Sequence, residues 1–558
     1  MTEAGGPRVV GNDWSVLAPP ELGRWRPAIP VSVIVPGYNC QGCLNVALAA
    51  LSQQTYPDHL LEVVVVDDGS DPKLELPELV PANCRLVRVP DHSTGWGRAN
   101  ALHVGAEVSD GEILHWLDAD LVPFPEHIEA QARWHHASAE VVTLGYKRFV
   151  RDEQAVPSEV LPRVVAGELA TLFPASATEP HGYIEDFIEA TDRLRDADQL
   201  AFRAHVGATA ALRRELYRAA GGLDVTLRLG EDGELGYRLA QAGAVFVPEP
   251  QARSWHLGSS HAMTVGDRQR RYNWPFLADR MPQPPWLRGG VRRTWAVPQV
   301  TVVVEAGDHP YELVRGCVDR LLSSDQFDLR VVLVGDWDGL TDRRRSVLAD
   351  PQLDRRLIAA TYRSEPRVVL AGEAPETAFP SPFLLRVPAR IGVGRGTVRR
   401  LVERANFQRA GLLWVAGPEP AGPETSEPAG PGAPEPAGLA IEPVAEPVAE
   451  RAAEPVLELW RTAAVSRARR HLRPGEPLAE AVAAVWGAQW LDGADYGLVD
   501  LAGQPPDEQA WAAPAPGLAP PAPPPAVPVA GLRSLLRATG YVVRLAVASG
   551  WRRVRSGR

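Results

Sequence analysis

Val31 to Val35 (VSVIV) and Glu62 to Val66 (EVVVV) are short β-branched runs that end at turn-forming residues. Between them Leu44, Ala47, Leu48 and Leu51 recur at helical spacing. Strand, helix, strand with near-continuous apolar strands is a βαβ unit in a sheet covered on both faces. Apolar runs at 85–89 (RLVRV) and 113–117 (ILHWL), with a helical pattern from Arg98 to Val108, extend it. The class predicted is α/β, in which ligands sit beyond the carboxyl ends of the strands. Those ends carry Pro36-Gly37-Tyr38-Asn39, Asp67-Asp68-Gly69-Ser70 and Asp118-Ala119-Asp120.

The pattern then repeats. Residues 300–339 track 31–70 with nearly equal spacing between their two strands. Further on, 385–395 (LRVPARIGVGR) echoes 87–98, and 411–417 (GLLWVAG) echoes 111–119. On that pairing Glu305 replaces Pro36, and Ala416-Gly417-Pro418 stands where the first copy has Asp118-Ala119-Asp120. Residues 416–456 repeat EPAG and EPVA and are read as an extended acidic linker that fills no core. Trp-rich residues 457–503 return to the second copy, and 504–530 form a second, Pro/Ala-rich linker. In 531–558 an apolar helical face (Leu532, Leu535, Leu536, Val543, Val547) opposes Arg533, Arg537 and Arg544. An Arg-rich amphipathic helix with Trp551 suits an anionic membrane surface; the plainer reading docks it on the protein's own acidic surface.

Composition narrows the classes. The chain has 558 residues, 45% hydrophobic and 23% charged, which excludes wholesale disorder and fibrous repeats. The formal charge of −11 argues against nucleic acid as the main partner. Four cysteines make no disulfide framework and point to a reducing compartment. Cys40 and Cys43 form a CxxC without a second pair, so small packed residues beside a helix start are favoured over a metal or redox site. No secretory signal and no transmembrane run is expected; Gln509 to Leu532 is free of charge but broken by prolines.

The chemistry lies at the strand ends. Two carboxylates one residue apart, Asp118 and Asp120, suit a hard divalent cation that also binds phosphate oxygens. DxD alone is common in solvated loops. Here Asp67-Asp68 ends a neighbouring strand, and Gly95-Trp96-Gly97-Arg98 opens a helix, where amides and an Arg meet phosphate. Acidic pairs at two strand ends plus a basic glycine turn suit a nucleoside diphosphate with its metal.

Residues 31–257 resemble the family 2 glycosyltransferases of the GT-A fold, through VSVIVPGYN, EVVVVDDGS, GRANALHVG, GEILHWLDADLVPFPEHIE and GGLDVTLRLGEDGELGYRLAQAG. The resemblance implies a mostly parallel, Rossmann-like GT-A domain at 30–285, after an N-terminal segment 1–29. It implies transfer of a sugar from a nucleotide-sugar donor to an acceptor hydroxyl with inversion. Carried over by position, Pro36, Tyr38 and Asp68 hold base and ribose with Asp67 beside them, and Arg98 lies near the diphosphate. Asp118 and Asp120 match the metal motif for Mn²⁺ or Mg²⁺, and His256 a further ligand. Asp232 matches the catalytic base and Glu231 its acceptor-side neighbour.

Three departures bear on this. His103 stands where many relatives have Asn; the QxxRW element of processive enzymes is unmatched, Arg268 to Tyr272 lacking its Gln; and the second copy has no DxD, with Gly475-Glu476-Pro477 in place of the base. The second half, 297–415 completed by 457–503, is therefore expected to be a degenerate GT-A-like domain. The expectation is a metal-dependent, non-processive enzyme, cytoplasmic or peripheral on the inner membrane face, acting in cell-envelope glycan or glycolipid synthesis. Two other readings stay open: a non-catalytic nucleotide-sugar-binding scaffold, or transfer to a soluble protein or metabolite.

Overall fold

The computed structural model describes residues 6–89, 95–151, 154–259, 261–289, 292–341, 346–417 and 455–502. The expectations for the linkers within 418–454 and 504–530, and for the tail 531–558, lie outside these residues.

The first half builds one mixed sheet. In chain order its elements are β1 (Val31–Gly37), α1 (Gln41–Leu51), β2 (Leu61–Asp67), β3 (Cys84–Arg88), α2 (Arg98–Val108), β4 (Ile113–Leu117), β5 (Leu121–Pro123), α3 (His127–Ala137) and β6 (Val141–Val150). There follow α4 (Pro157–Val165), β7 (Thr178–Pro180), α5 (Gly182–Ala190), β8 (Thr209–Arg213), α6 (Arg214–Ala219), α7 (Glu231–Gln241), β9 (Val245–Leu257) and α8 (His261–Arg280). The strands run β3-β2-β1-β4-β8-β6-β9-β5, with β7 added to β6. β1 pairs in parallel with β2 and β4, while β8 runs antiparallel between β4 and β6. All of β2 is buried, as a parallel strand covered on both faces must be. Helix α2 lies hard against β1: a Cβ on Gly105 would come within 2.3 Å of Ile34, so only glycine permits that approach.

The second half comprises β10 (Val300–Glu305), α9 (Tyr311–Leu322), β11 (Leu329–Val334), α10 (Leu353–Tyr362), β12 (Val368–Ala371), β13 (Phe383–Arg386), β14 (Ile391–Gly392), α11 (Thr397–Phe407) and β15 (Leu412–Val415). It continues with β16 (Leu457–Arg461), α12 (Thr462–Arg470), α13 (Leu478–Trp486), β17 (Ala488–Leu491) and β18 (Val499–Asp500). Its seven-stranded sheet runs β12-β11-β10-β13-β16-β15-β17. Strand for strand this has the order of β3-β2-β1-β4-β8-β6-β9, with the same parallel and antiparallel pairs.

That topology corrects two of the expected echoes. Val31 pairs with Ile113 and Val300 with Phe383, so β13 occupies the place of β4, not of 87–89. β15 occupies the place of β6, not of 111–119. Pro388 and Arg390, rather than Ala416 and Pro418, therefore follow the strand that corresponds to the one before Asp118 and Asp120. The apolar strings misled because any buried strand resembles another; pairing partners distinguish them.

The second half also lacks a helix where α2 lies. The eleven residues 372–382 connect β12 to β13 without one. Phe379 in this connection packs against the first core, and Pro380 O accepts a hydrogen bond from Tyr237 Oη of α7 at 2.6 Å. Arg467 of α12 completes the join. Its buried guanidinium donates to Gly243 O at 2.9 Å and Ala244 O at 2.8 Å, just after α7, and to Val9 O and Gly11 O.

Candidate functional site

The site forms where β1, β2 and β4 end and α2 and α7 begin. In β2 the last residue, Asp67, is buried and spoken for: it accepts from Ser70 N, Leu74 N and Arg88 Nη1 at 2.9, 3.1 and 2.9 Å. Burial opposes its charge, yet these donors hold its carboxyl below the usual range. Asp67 thus braces the loop, while Asp68 faces the site. Asp68 Oδ2 accepts from Gly97 N at 2.7 Å, and its Oδ1 is buried without a partner among the described residues. Burial raises its carboxyl, against the Gly97 amide and the Arg228 charge. Tyr38 and Trp96 stand exposed at this mouth, and Arg228 stacks on the Trp96 ring at 4.7 Å. Pro36, the penultimate residue of β1, is paired with Val66.

Arg98, in the first turn of α2, is the hub. Its Nε donates to Asp118 Oδ1 at 2.8 Å, its Nη1 to Glu231 Oε1 at 2.9 Å and its Nη2 to Gly207 O at 2.6 Å. Burial works against this guanidinium, but Asp118, Glu231 and Asp232 together raise its pKa. Gly207 packs closely here: a Cβ would sit 3.0 Å from Arg98 and 3.2 Å from Asp232.

Glu231 and Asp232 open α7, which Gly230 caps in the left-handed conformation at φ 81°. Asp232 Oδ1 accepts from Gly233 N at 2.7 Å, its Oδ2 from Gly207 N at 3.4 Å, and its carbonyl contacts His205 Nδ1 at 2.8 Å. Burial raises the Glu231 carboxyl, with Asp232 adding repulsion.

Asp120 follows β4 and pairs through its backbone with the end of β9, where Leu257 N donates to Asp120 O at 2.9 Å. This brings His256 Nε2 within 3.6 Å of Asp120 Oδ2. Asp120 Oδ1 is buried without a partner among the described residues. Burial raises this carboxyl; His256 and Lys147 pull the other way and Asp118 adds repulsion. Of the three expected metal ligands, Asp120 and His256 stand together while Asp118 is turned to Arg98. Among the described residues no three His, Cys, Asp or Glu side chains converge on a metal position. The orphaned oxygen and the adjacent imidazole fit a cation that takes its remaining ligands from phosphate and water.

Lys147 was missed from the sequence. It lies on β6 beyond a register shift against β9, where Gly145 pairs with Glu249 but Tyr146 with Arg253. That irregularity sets which face Lys147 occupies; burial lowers its pKa, while Asp118 and Asp120 favour its charge and Arg98 opposes it. The available signal was its rarity: only Lys73 and Lys147 are lysine among 58 basic residues.

Residues 32–218 match the family model described as Glycosyl transferase family 2. The chain is similar to an uncharacterized glycosyltransferase of Haemophilus influenzae, 25% identical over 222 residues, covering 38% of this chain and 62% of that one. It is 36% identical over 104 residues to the glycosyltransferase AglE of Haloferax volcanii, covering 18% of this chain and 33% of that protein. Against the validoxylamine A glucosyltransferase of Streptomyces hygroscopicus subsp. limoneus it is 30% identical over 117 residues, 21% of this chain and 26% of that one. The matches thus span less than two thirds of these relatives' lengths. Among solved structures it is similar to the mannosyltransferase PcManGT from Pyrobaculum calidifontis, in complex with GDP-Man and Mn²⁺, at 19% identity and TM-score 0.30, covering 49% of this chain and 68% of that one.

Proposed function

We propose that the first half is a metal-dependent, inverting, non-processive glycosyltransferase that moves a sugar from a nucleotide-sugar to an acceptor hydroxyl. The observation that carries this is the Arg98 bridge, which joins Asp118 at the end of the metal-motif strand to Glu231 beside the base. It ties a donor-side carboxylate and an acceptor-side carboxylate into one charge network. A scaffold that only bound nucleotide would have no use for a second acidic pair across the site.

In this reading Pro36, Tyr38 and Asp68 hold base and ribose, and Asp67 keeps their loop in shape. Asp232 takes the proton of the acceptor hydroxyl as its oxygen attacks the anomeric carbon. The bond from that carbon to the diphosphate breaks, and its electron pair leaves with the nucleoside diphosphate. Arg98 faces the leaving group as negative charge develops. Asp120 and His256, with Asp118 beside them, are the residues that would hold Mn²⁺ or Mg²⁺; the bound ion neutralises diphosphate charge. Cell-envelope glycans or glycolipids are the acceptor class, on the strength of the basic tail.

The test is a screen of UDP-, GDP- and dTDP-sugars for Mn²⁺-dependent hydrolysis and transfer. Asp120→Ala and Asp232→Asn are each expected to lower kcat by about 10²–10⁴-fold. Near wild-type transfer by Asp232→Asn would sink the assignment of the base.

A further inference from the structure

From the burial and isolation of Lys147 we infer that its ammonium binds an anionic oxygen of the donor, as a further catalytic cation at the leaving-group side. The inference rests on the proposed function and extends it. Lys147 is 7% exposed, yet among the described residues its ammonium makes no hydrogen bond or ion pair. Its Nζ lies 5.6 Å from the ring centre of Phe149. A buried, unpartnered cation is costly unless a ligand or nearby charges compensate it.

The surroundings indicate what kind of ligand that is. Lys147 lines a small cavity with Tyr146, His181, Glu185, Val206 and Thr209. Burial, most of all, and the Arg98 charge oppose the ammonium, while the carboxylates of Asp118, Asp120 and Asp232 favour it. A nucleotide-sugar adds negative charge to a site that already holds these three and Glu231. Arg98 is committed to Asp118 and Glu231. Lys147 is a cation with its donors free, and a lysine ammonium can reorient all three of them toward an entering oxyanion. The register shift that aims it is a built feature, since the strands pair regularly on both sides of it.

The anionic oxygen has two possible sources, the donor diphosphate or a carboxylate on the donor sugar, and the experiment separates them. Binding of UDP, GDP, UMP, GMP, UDP-glucose and UDP-glucuronate is measured by calorimetry on the full chain, with and without Mn²⁺, for wild type, Lys147→Met and Lys147→Arg. The expected result is a ~10–100-fold loss of affinity for the nucleoside diphosphate in Lys147→Met, with the monophosphate unaffected and partial recovery in Lys147→Arg. A loss confined to UDP-glucuronate supports the anion site and assigns it to the sugar carboxylate. Unchanged affinity for all of these ligands in a Lys147→Met protein of wild-type melting temperature overturns the inference. If Lys147→Met does not fold, Lys147→Gln is measured in its place against the same outcomes. Wild-type protein that binds none of the nucleotides overturns the proposed function, and the inference with it.

Discussion

Arg98 and Glu231 are 133 residues apart in the chain, and the distance between them in space is one hydrogen bond. Asp67-Asp68 and the Asp118/Asp120 pair were legible because each follows an apolar strand, and strand ends are where such sheets put their chemistry. Their division of labour was not. Asp67 and Asp68 read alike as a pair, but Asp67 is consumed by the Ser70, Leu74 and Arg88 donors while Asp68 keeps an oxygen free. A second cluster of polar side chains lies away from the site. His115, His127 and His135 are buried around Gln131, which contacts His115 and His127 at 2.9 and 3.1 Å. Burial lowers all three imidazoles, His127 to about 4 and the other two well below their ordinary value. They are thus neutral in the fold and take protons more readily when unfolded. Stability is retained above the unfolded value near 6.5 and is lost as pH falls from there toward 4. Each histidine contributes a slope of about 1.4 kcal/mol per pH unit in that window. Thermal melts at pH 7.5, 6 and 5 should show the fall, and His127→Gln should flatten it by about one proton. A pH-independent melting temperature would contradict the assignment.

Helix α7 carries the base at one end and is gripped at the other. Gly230 and the three acids of its first turn, Glu231, Asp232 and Glu234, mark its start. Nothing local marked Arg467, which sits 224 residues away and donates to the carbonyl of Gly243. Sequence shows a cation; only packing shows that its hydrogen bonds among the described residues all go to backbone carbonyls. Removing that guanidinium leaves buried carbonyls unpaired. Arg467→Met is expected to destabilise the chain by on the order of 3 kcal/mol, read as a lower unfolding midpoint in urea. It should lower kcat at 25 °C more than it changes donor affinity, because the helix that presents Asp232 loses its anchor. An unchanged midpoint would mean that the two halves are not coupled through this residue. β6 makes the same point for Lys147, whose direction depends on a register shift that no periodicity announces.

At the scale of the molecule, two sheets of the same strand order pack through a connection that in the first half is a helix and in the second is not. The missing counterpart of α2 leaves room for Phe379 and Pro380 to meet the first half. With Pro388 and Arg390 at the positions of the metal-motif acids, the second half is proposed to support the first rather than to catalyse. Glu476, the acid nearest to a replacement base, is held by Arg8 at 2.7 and 2.5 Å. Among the described residues no helix is long and apolar enough to cross a membrane. Any membrane contact is therefore argued from the tail alone, seven arginines and no acid in residues 531–558. Deleting 531–558 should abolish co-sedimentation with anionic liposomes at low salt and leave nucleotide binding intact. Equal sedimentation with and without the tail would remove the membrane proposal.

The sequence by itself determined the α/β class, the strand ends that carry the acids, the repeated half and the odd charge of the tail. Those features are local: a period, a turn residue or a composition is complete within a dozen neighbours. The tertiary structure decided which strands correspond between the halves, which acid of each pair is free, and how Arg98, Lys147 and Arg467 are used. Each of those depends on what lies across the sheet or the join. A long side chain takes its role from the partners that packing brings to it, and those partners lie a hundred or more residues away.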